Sequence, residues 1–268
     1  MDALRVCLYV FAGVSLATWL LSVVTREYSW VDRIWSLVPI AYVGIYAGAA
    51  GFADPRLDTM SVLVALWGLR LTFNFARKGG YAPGGEDYRW VVLRGRMAPW
   101  QFQVFNLLFI TLVQNAILLL ICLPADTALR HRSPFGVWDV VLTVVFLAFL
   151  TGETIADQQQ WSFQQWKRGE LTAGREPVRF VQTGLFRYSR HPNFFFEQAQ
   201  WWVVALFGVS AAGAVEWTVV GAVVLTLLFI GSTRFTESIS RARYPEYADY
   251  QRRTSAVVPW WPGGARSS

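Results

Sequence analysis

The chain has 268 residues, of which 54% are hydrophobic and 16% charged, and its formal net charge is +6. Several apolar runs reach the roughly 20 residues that a helix needs to cross the hydrocarbon core of a bilayer. With two histidines and two cysteines, the composition excludes histidine-rich di-iron enzymes and indicates neither a disulfide framework nor a metal site. GxGxxG and GxxxxGK[ST] fingerprints are missing from the sequence, so any nucleotide is bound without a Rossmann or P-loop motif.

In chain order, the apolar runs predict an all-α integral membrane protein with seven transmembrane helices in a single domain over residues 1–268. The predicted spans are 4–25, 31–52, 59–77, 101–123, 136–157, 193–212 and 214–233. Most lysines and arginines then fall in the loops on one side of the bilayer. The positive-inside rule therefore predicts an outer N-terminus and a cytoplasmic C-terminus. This bias explains most of the positive charge, so we expect the lipid bilayer as a partner and no nucleic acid.

Polar side chains recur at the predicted cytoplasmic ends of five spans, and in four of these spans their spacing keeps them on one helix face. They are Asp32, Arg33 and Ser36; Arg70, Asn74 and Arg77; Glu153, Asp157, Gln160 and Gln164; Asn193, Glu197 and Gln200; and Arg234, Glu237 and Arg241. Polar groups are costly inside a bilayer and usually functional. The pattern predicts a shared cavity open to the cytoplasm, with no comparable cluster at the outer ends. The alternative is a set of helix ends reaching the headgroups, with local ion pairs such as Glu237 with Arg241.

The predicted cytoplasmic loops carry many arginines and tyrosines. The glycine-rich loop 77–99 also contains Glu86, Asp87 and Tyr88. Arginine binds phosphate through paired hydrogen bonds, and aromatic rings stack on bases. The loops therefore favour a large anionic ligand with an aromatic group. The alternative is attraction to anionic lipid headgroups.

The stretch GLFRYSRHPNFFFEQAQWW, residues 184–202, resembles the C-terminal signature of the steroid 5-alpha-reductase and sterol-reductase superfamily. A downstream segment ending in VVPWWP is similar to the same region of that superfamily. The resemblance covers about 150–262, the expected cofactor-binding half. The whole chain resembles the bacterial, functionally uncharacterised branch of the superfamily, which implies a multi-pass protein of the bacterial inner membrane.

The resemblance implies that NADPH binds in a pocket facing the cytosol. The residues it assigns to the cofactor are Arg77, Asp157, Arg179, Arg187, Tyr188, Arg190, His191, Asn193, Glu197, Arg234, Glu237, Tyr247 and Tyr250. An alternative role for His191 is simple capping or packing at a helix start. Pro192 then occupies the first helical position, where its missing N–H costs little.

The substrate half departs from the superfamily pattern. Steroid 5-alpha-reductases carry a Gln-Glu pair on the second helix and a tyrosine just before the arginine of the third. Here the second helix reads VDRIWSLVPIAY, and Asn74 stands near the tyrosine position. We assign Trp35, Ser36, Arg70 and Asn74 to the substrate.

The leading hypothesis is an NADPH-dependent reductase of a conjugated C=C bond in a membrane-dissolved steroid, isoprenoid or other lipid. The candidate proton donors are Asp32, Glu86, Asp87 and Tyr88, because a carboxyl in an apolar cavity stays protonated near neutral pH. The loop that carries the last three is a candidate lid.

The first alternative is a methyltransferase of the isoprenylcysteine carboxyl type, which also has an R-H-P motif and uses S-adenosylmethionine. Asn193, Glu197 and the many arginines favour the more anionic NADPH. The second alternative is a transporter, which predicts internal repeats and polar residues across the whole bilayer; the sequence has neither. The oligomeric state is not predicted.

Overall fold

The structure, a computed structural model, describes residues 2–262, and all regular secondary structure within them is helical. This confirms the all-α class. The α-helices are α1 (Ala3–Thr25), α2 (Trp30–Ile34), α3 (Val38–Ala49), α4 (Pro55–Arg77), α5 (Tyr88–Arg94), α6 (Pro99–Phe105), α7 (Gln114–Leu120), α8 (Pro124–Arg130), α9 (Val137–Thr172), α10 (Pro192–Ala212), α11 (Val220–Arg243) and α12 (Tyr247–Arg253). A π-helix, Asn106–Val113, joins α6 to α7, and short 3₁₀ turns precede α10 and α11.

Five helical stretches are long and apolar enough to cross a membrane, which indicates an integral membrane protein. They are Ala3–Thr25, Pro55–Arg77, Pro99–Arg130, Val137–Thr172 and Trp217–Arg243, matching the first, third, fourth, fifth and seventh predicted spans. The second predicted span is divided between α2 and α3, and α3 has only 12 residues. The sixth corresponds to α10, where Asn193, Glu197 and Gln200 reduce the apolar character of the first turns.

Helix ends follow local sequence signals. The Asp54 side chain accepts hydrogen bonds from the backbone N–H groups of Arg56 and Leu57, and Pro55 is the first residue of α4. Pro192 likewise opens α10, as predicted. The long helix α9 continues 15 residues beyond the predicted end at 157, because the glutamine-rich stretch that follows favours helix. It ends shortly before Gly174, whose φ is 72°.

The chain divides into two compact units, and the boundaries between them fall within α9, α10 and α11. The first comprises Met1–Val145 and Trp201–Leu225, and the second Phe146–Gln200 and Thr226–Ser268, each over its described residues. In the first unit, α3 packs on α4, and α1 packs on α3, α7 and the π-helix. Its buried core includes Trp67, whose ring meets that of Trp201 edge-on, with the ring centroids 4.8 Å apart.

A buried ion pair lies at the end of α4 opposite to Arg77. Arg56 donates to both carboxylate oxygens of Asp139, from Nε at 2.7 Å and from Nη2 at 2.9 Å, and the two side chains are 2% and 1% exposed. Arg56 also donates to the Ser133 and Pro134 carbonyls. The prediction that the outer ends carry no comparable polar cluster was therefore wrong. The partners lie far apart in sequence, so no helical spacing indicated them.

Gly221, at the start of α11, lies against the end of α7. A Cβ atom on Gly221 would stand 2.2 Å from the Leu120 carbonyl oxygen. That neighbour is backbone and cannot rotate away. We therefore expect Gly221→Ala to lower the free energy of unfolding of the purified protein by about 1–3 kcal/mol, the usual cost of overpacking, and to lower its melting temperature accordingly. The matched control is Gly231→Ala on the same helix, where a Cβ meets open space. An alanine there should be neutral or stabilising, and an equal loss in both variants would contradict the packing argument.

Candidate functional site

The signature motif anchors a hydrogen-bonded cluster in the second unit. Arg190 donates to both oxygens of Glu237, from Nε at 2.6 Å and from Nη2 at 2.9 Å. Its Nη1 donates to the carbonyls of Gln251 and Thr254. His191 Nε2 lies 3.1 Å from Glu237 Oε1, and its ring stacks on Phe194. Each guanidinium nitrogen of Arg190 therefore already has a protein acceptor.

Glu237 is the centre of this cluster. Besides Arg190 and His191, Gln251 Nε2 donates to Glu237 Oε2 at 2.8 Å, and the Tyr247 hydroxyl lies 3.5 Å from Oε1. The Glu237 side chain is 10% exposed. The local pair with Arg241 considered from the sequence is replaced by the pair with Arg190, which lies 47 residues earlier.

The backbone of the motif pairs with a later segment, residues 254–260, which we call the C-terminal strip. Arg190 N donates to the Ser255 carbonyl at 2.8 Å, and His191 N donates to the Ala256 carbonyl at 3.1 Å. In return, Trp260 N donates to the Tyr188 carbonyl at 2.9 Å. The strip therefore fixes the conformation of the motif just before α10 begins.

A row of buried polar side chains extends along α9 and the start of α10. It consists of Glu153, Asp157 and Gln160 on α9 with Glu197 and Gln200 on α10; we call it the polar row. Glu153, Asp157, Glu197 and Gln200 are at most 8% exposed. Gln200 Nε2 donates to Glu153 Oε2 at 2.6 Å and to the Phe196 carbonyl at 3.1 Å, which orients the amide. Gln200 Oε1 and Gln160 Oε1 are buried, and neither has a hydrogen-bond partner among the described residues.

The tyrosines predicted for the cofactor pack among protein side chains. Tyr247 and Tyr250 are buried and contact Phe180, with ring centroids 4.9 and 5.5 Å from it. The Tyr250 hydroxyl donates to the Phe186 carbonyl. Burial raises the pKa of both phenols, which therefore remain neutral donors. Tyr188 is half-buried, and its ring meets Trp261 edge-on.

The remaining predicted cofactor residues lie in different settings. Arg187 and Arg234 are exposed in the second unit, and Asn193 is half-buried at the start of α10. Arg179 is half-buried and lies 3.3 Å from the Glu176 carboxylate. Arg77 belongs to the first unit, where its Nε donates to Asn74 Oδ1 at 2.9 Å.

A carboxyl cluster in the first unit contains the candidate proton donors. Asp32 Oδ2 accepts a hydrogen bond from Trp90 Nε1 at 2.8 Å. Asp32 is half-buried near the start of the second predicted span. An apolar setting suits a carboxyl that must donate a proton near neutral pH.

The carboxylates of the other two acidic candidates, Asp87 and Glu86, accept hydrogen bonds from backbone N–H groups. Asp87 caps α5, accepts from the backbone N–H of Arg89, and forms a bidentate pair with the Arg89 side chain. Glu86 accepts from the backbone N–H of Tyr28 at 2.9 Å. Tyr88, the first residue of α5, is 50% exposed.

The glycine-rich loop is fastened to the segment before α2. Glu27 accepts from the Gly84 N–H and from Arg33, and Arg33 Nε donates to the Gly80 carbonyl. The Tyr81 hydroxyl donates to the Arg33 carbonyl at 3.0 Å. These bonds hold residues 80–84 of the loop, so a closing motion of this part has to break them.

The residues assigned to the substrate belong to the first unit: Trp35 and Ser36 lie in the turn between α2 and α3, and Arg70 and Asn74 lie on α4. Trp35 packs against an aromatic cluster that includes Tyr28, Trp90 and Phe102. Ser36 and Asn74 are buried, and the Ser36 hydroxyl lies 2.7 Å from the Thr72 hydroxyl. Arg70 is half-buried on α4.

Several site residues were missed from the sequence. Trp90, Gln251 and Ser255 were not assigned to the site. Their partners lie 58 residues or more away or, for Gln251, in a neighbouring helix, so helical spacing does not connect them. Residues 2–262 contain no group of three or more His, Cys, Asp or Glu side chains that could hold a metal ion.

The chain is similar to several named proteins. It is 36% identical over 258 residues to an uncharacterized protein of Schizosaccharomyces pombe, covering 90% of this chain and 75% of the relative. It is 29% identical over 156 residues to the nickel-cobalt-cadmium resistance protein NccN of Alcaligenes xylosoxydans xylosoxydans, covering 51% and 68%. The cobalt-zinc-cadmium resistance protein CzcN of Cupriavidus metallidurans is 28% identical over 149 residues, covering 48% and 64%.

No solved structure matches the chain. Residues 18–254 match the family described as protein of unknown function DUF1295. That match contains the signature motif, the polar row and the Asp32 cluster. Because it extends over most of the sequence, the chain belongs to the DUF1295 family.

Proposed function

We propose that the protein is an NADPH-dependent membrane reductase that saturates a conjugated C=C bond of a lipophilic enone, such as a steroid or isoprenoid. The proposal includes seven membrane passages, a cytoplasmic C-terminus and a location in the bacterial inner membrane. The observation that carries it is the polar row of the second unit. Five polar side chains on two apolar helices are costly in a bilayer, and such residues usually serve a ligand.

The polar row suits the nicotinamide end of the cofactor. The Gln200 amide is oriented by its two donated hydrogen bonds, which leaves Oε1 as a buried acceptor without a protein partner. A buried acceptor without a donor costs about 1–3 kcal/mol. The NH₂ group of a carboxamide is a donor that would satisfy it. We therefore assign Gln200 to the carboxamide and its ribose, together with Asn193 and Glu197 on the same helix and Asp157 on α9.

The phosphates require exposed cations. The donors of Arg190 are used by Glu237 and two backbone carbonyls, so we assign Arg190 to holding the site rather than to binding phosphate. Arg187 and Arg234 are exposed in the same unit, and we assign the phosphate contacts to them. Guanidinium groups favour this role because they donate two parallel hydrogen bonds.

NADPH supplies the hydride when it is bound. The chain has to orient the enone, exclude water and deliver a proton to the carbon that becomes negative as the hydride adds. We assign the proton to Asp32, because its carboxyl lies at the start of an apolar predicted span and, unlike that of Asp87, does not cap a helix. Trp90 Nε1 holds one Asp32 oxygen, which fixes the orientation of the carboxyl.

The first test is cofactor binding to detergent-purified protein by calorimetry, with NADPH, NADH and S-adenosylmethionine. NADPH should bind most tightly, and Arg187→Ala and Arg234→Ala should each weaken it by about 10-fold, the loss expected for one charge-assisted hydrogen bond. The matched control is Arg168→Ala, also exposed in the second unit and outside the proposed site. Binding of S-adenosylmethionine alone would overturn the reductase and support the methyltransferase alternative.

The second test separates the proton donor from the cofactor site. With an enone steroid or isoprenoid as substrate, Asp32→Asn should leave the NADPH dissociation constant unchanged and lower kcat by about 100-fold or more, the usual contribution of general acid catalysis. A variant that turns over at the wild-type rate would remove Asp32 from the role.

A further inference from the structure

The C-terminal strip borders an open cleft that no part of the proposed reaction uses. The cleft has a volume of about 530 Å³ and is lined by Arg252, Arg253, Thr254, Ser255, Val258, Trp260 and Trp261. This volume lies within the range of small-molecule sites. Every lining residue belongs to the second unit.

The apolar side chains of the cleft are unusually exposed. Trp260 and Trp261 are 72% and 76% exposed, and Val258 is 60% exposed. Their backbone is held in place by the hydrogen bonds between the strip and the motif, and the Trp261 ring is fixed against Tyr188 at 5.5 Å. Two ordered indoles exposed to this degree are typical of the level of lipid headgroups, where tryptophan is enriched.

The lining of the cleft is also positively charged. Arg252 and Arg253 are adjacent at the end of α12, and both are exposed. Arg252 pairs with Asp249, and Arg253 Nε donates to the Asp249 carbonyl at 3.3 Å. Only Arg252 is paired with a carboxylate, because the Asp249 atom that accepts from Arg253 is a backbone oxygen. The two guanidinium groups therefore leave an excess positive charge in the lining of the cleft.

Position in the chain favours a lipid over a soluble ligand. The candidate span Trp217–Arg243 ends shortly before α12 (Tyr247–Arg253), so the cleft lies a short way along the chain from a span end. Paired guanidinium groups bind phosphate, and indoles pack at the boundary between headgroups and acyl chains. We propose that this cleft binds the headgroup of an anionic phospholipid, with Arg252 and Arg253 on the phosphate and Trp260 and Trp261 against the glycerol region.

The site would connect the bilayer to the signature motif. Bound lipid would hold the C-terminal strip, and the strip holds Arg190 and His191 through backbone hydrogen bonds. The lipid is then a stabilising ligand of the motif, and the inference is independent of the reaction proposed above.

The test compares phosphatidylglycerol with phosphatidylcholine, each added to delipidated, detergent-purified full chain. Retained lipid is counted by native mass spectrometry, and the melting temperature is recorded. Phosphatidylglycerol should bind more tightly and raise the melting temperature more. The double variant Arg252→Gln/Arg253→Gln should bind it about 30-fold more weakly, at about a fivefold loss of affinity for each basic residue.

The matched control is Arg241→Gln/Arg243→Gln, which removes two exposed arginines from the end of α11 and makes the same change in net charge. It should keep the lipid preference. Equal binding of the two lipids to wild type, or equal losses in both double variants, would overturn the site. If millimolar inorganic phosphate raises the melting temperature as much as phosphatidylglycerol and displaces it, the cleft takes soluble phosphate and the lipid assignment is wrong.

Two further measurements distinguish lipid binding from a folding defect in the variants and from a failure of the reductase proposal. In wild type, the preference for phosphatidylglycerol should weaken as salt is raised, because the contact is ionic; an unchanged preference would contradict it. NADPH affinity is measured on the same samples. If the wild-type protein does not bind NADPH, the reductase proposal is wrong but the lipid site is unaffected. Displacement of the lipid by NADPH would instead overturn the lipid site.

Discussion

Replacing Asp139 with asparagine is expected to destabilise the protein by about 3–5 kcal/mol, the usual cost of removing one partner of a buried ion pair. Arg56 and Asp139 are almost completely buried, and their two hydrogen bonds are parallel. Asparagine cannot balance the guanidinium charge, and its NH₂ group would face a donor. The measurement is denaturant or thermal unfolding in detergent micelles.

A control on the same side of the helices is Glu216→Gln. Glu216 pairs with Arg130 at 3.0 Å, but the two side chains are 22% and 45% exposed. Exposed pairs contribute about 0–1 kcal/mol, so this variant should be nearly neutral. The double variant Arg56→Met/Asp139→Leu should recover much of the loss, because it leaves no unpaired charge. A double variant as unstable as Asp139→Asn would contradict the electrostatic argument.

Replacing Glu237 with glutamine should release the C-terminal strip and α12. Four side chains lie within hydrogen-bond distance of Glu237, among them the Arg190 guanidinium. Glutamine cancels the charge and turns an NH₂ group toward donors, leaving Arg190 as a nearly buried cation. The local cost should be about 3 kcal/mol or more.

Hydrogen exchange measures this release directly. The backbone amides of Arg190, His191 and Trp260 form the hydrogen bonds between the motif and the strip. They should exchange at least 100-fold faster in Glu237→Gln, since a cost of about 3 kcal/mol corresponds to two factors of ten at about 1.4 kcal/mol each. Trypsin should also cut sooner after Arg252 and Arg253. The matched control is Glu246→Gln, an exposed acid beside α12 whose side chain makes no capping bond. Equal exchange in wild type and Glu237→Gln would mean that the strip is held by other contacts.

The sequence predicted the helices well, but it did not predict which distant side chains form hydrogen bonds and ion pairs with one another. Apolar runs and helix-start signals such as Asp54-Pro55 and Pro192 are local, so the helical regions follow directly from them. The division of the second predicted span into α2 and α3 accompanies Pro39 near the start of α3. The π-helix at Asn106–Val113 has no such signal, since its residues are ordinary helix formers in an apolar run.

The site was predicted in outline by the spacing of polar residues. Glu153, Asp157 and Gln160, and likewise Glu197 and Gln200, share helix faces because they lie three or four residues apart. What spacing cannot give is the partner in a distant segment, as for Arg190 with Glu237 and Arg56 with Asp139. A lone acid in an apolar stretch, such as Asp139, is nevertheless a signal that a buried cation has to be found elsewhere.

The pairing of motif and strip also bears on how the protein is made. Synthesis proceeds from the N-terminus, so the motif at 188–191 leaves the ribosome before α11, α12 and residues 254–260. Until the strip arrives, the N–H groups of Arg190 and His191 lack their native acceptors. A nascent chain arrested after α11 would therefore carry the motif in an unfinished state. The region around α10 should be the last to mature during biogenesis, and the most exposed to quality-control proteases if translation stalls.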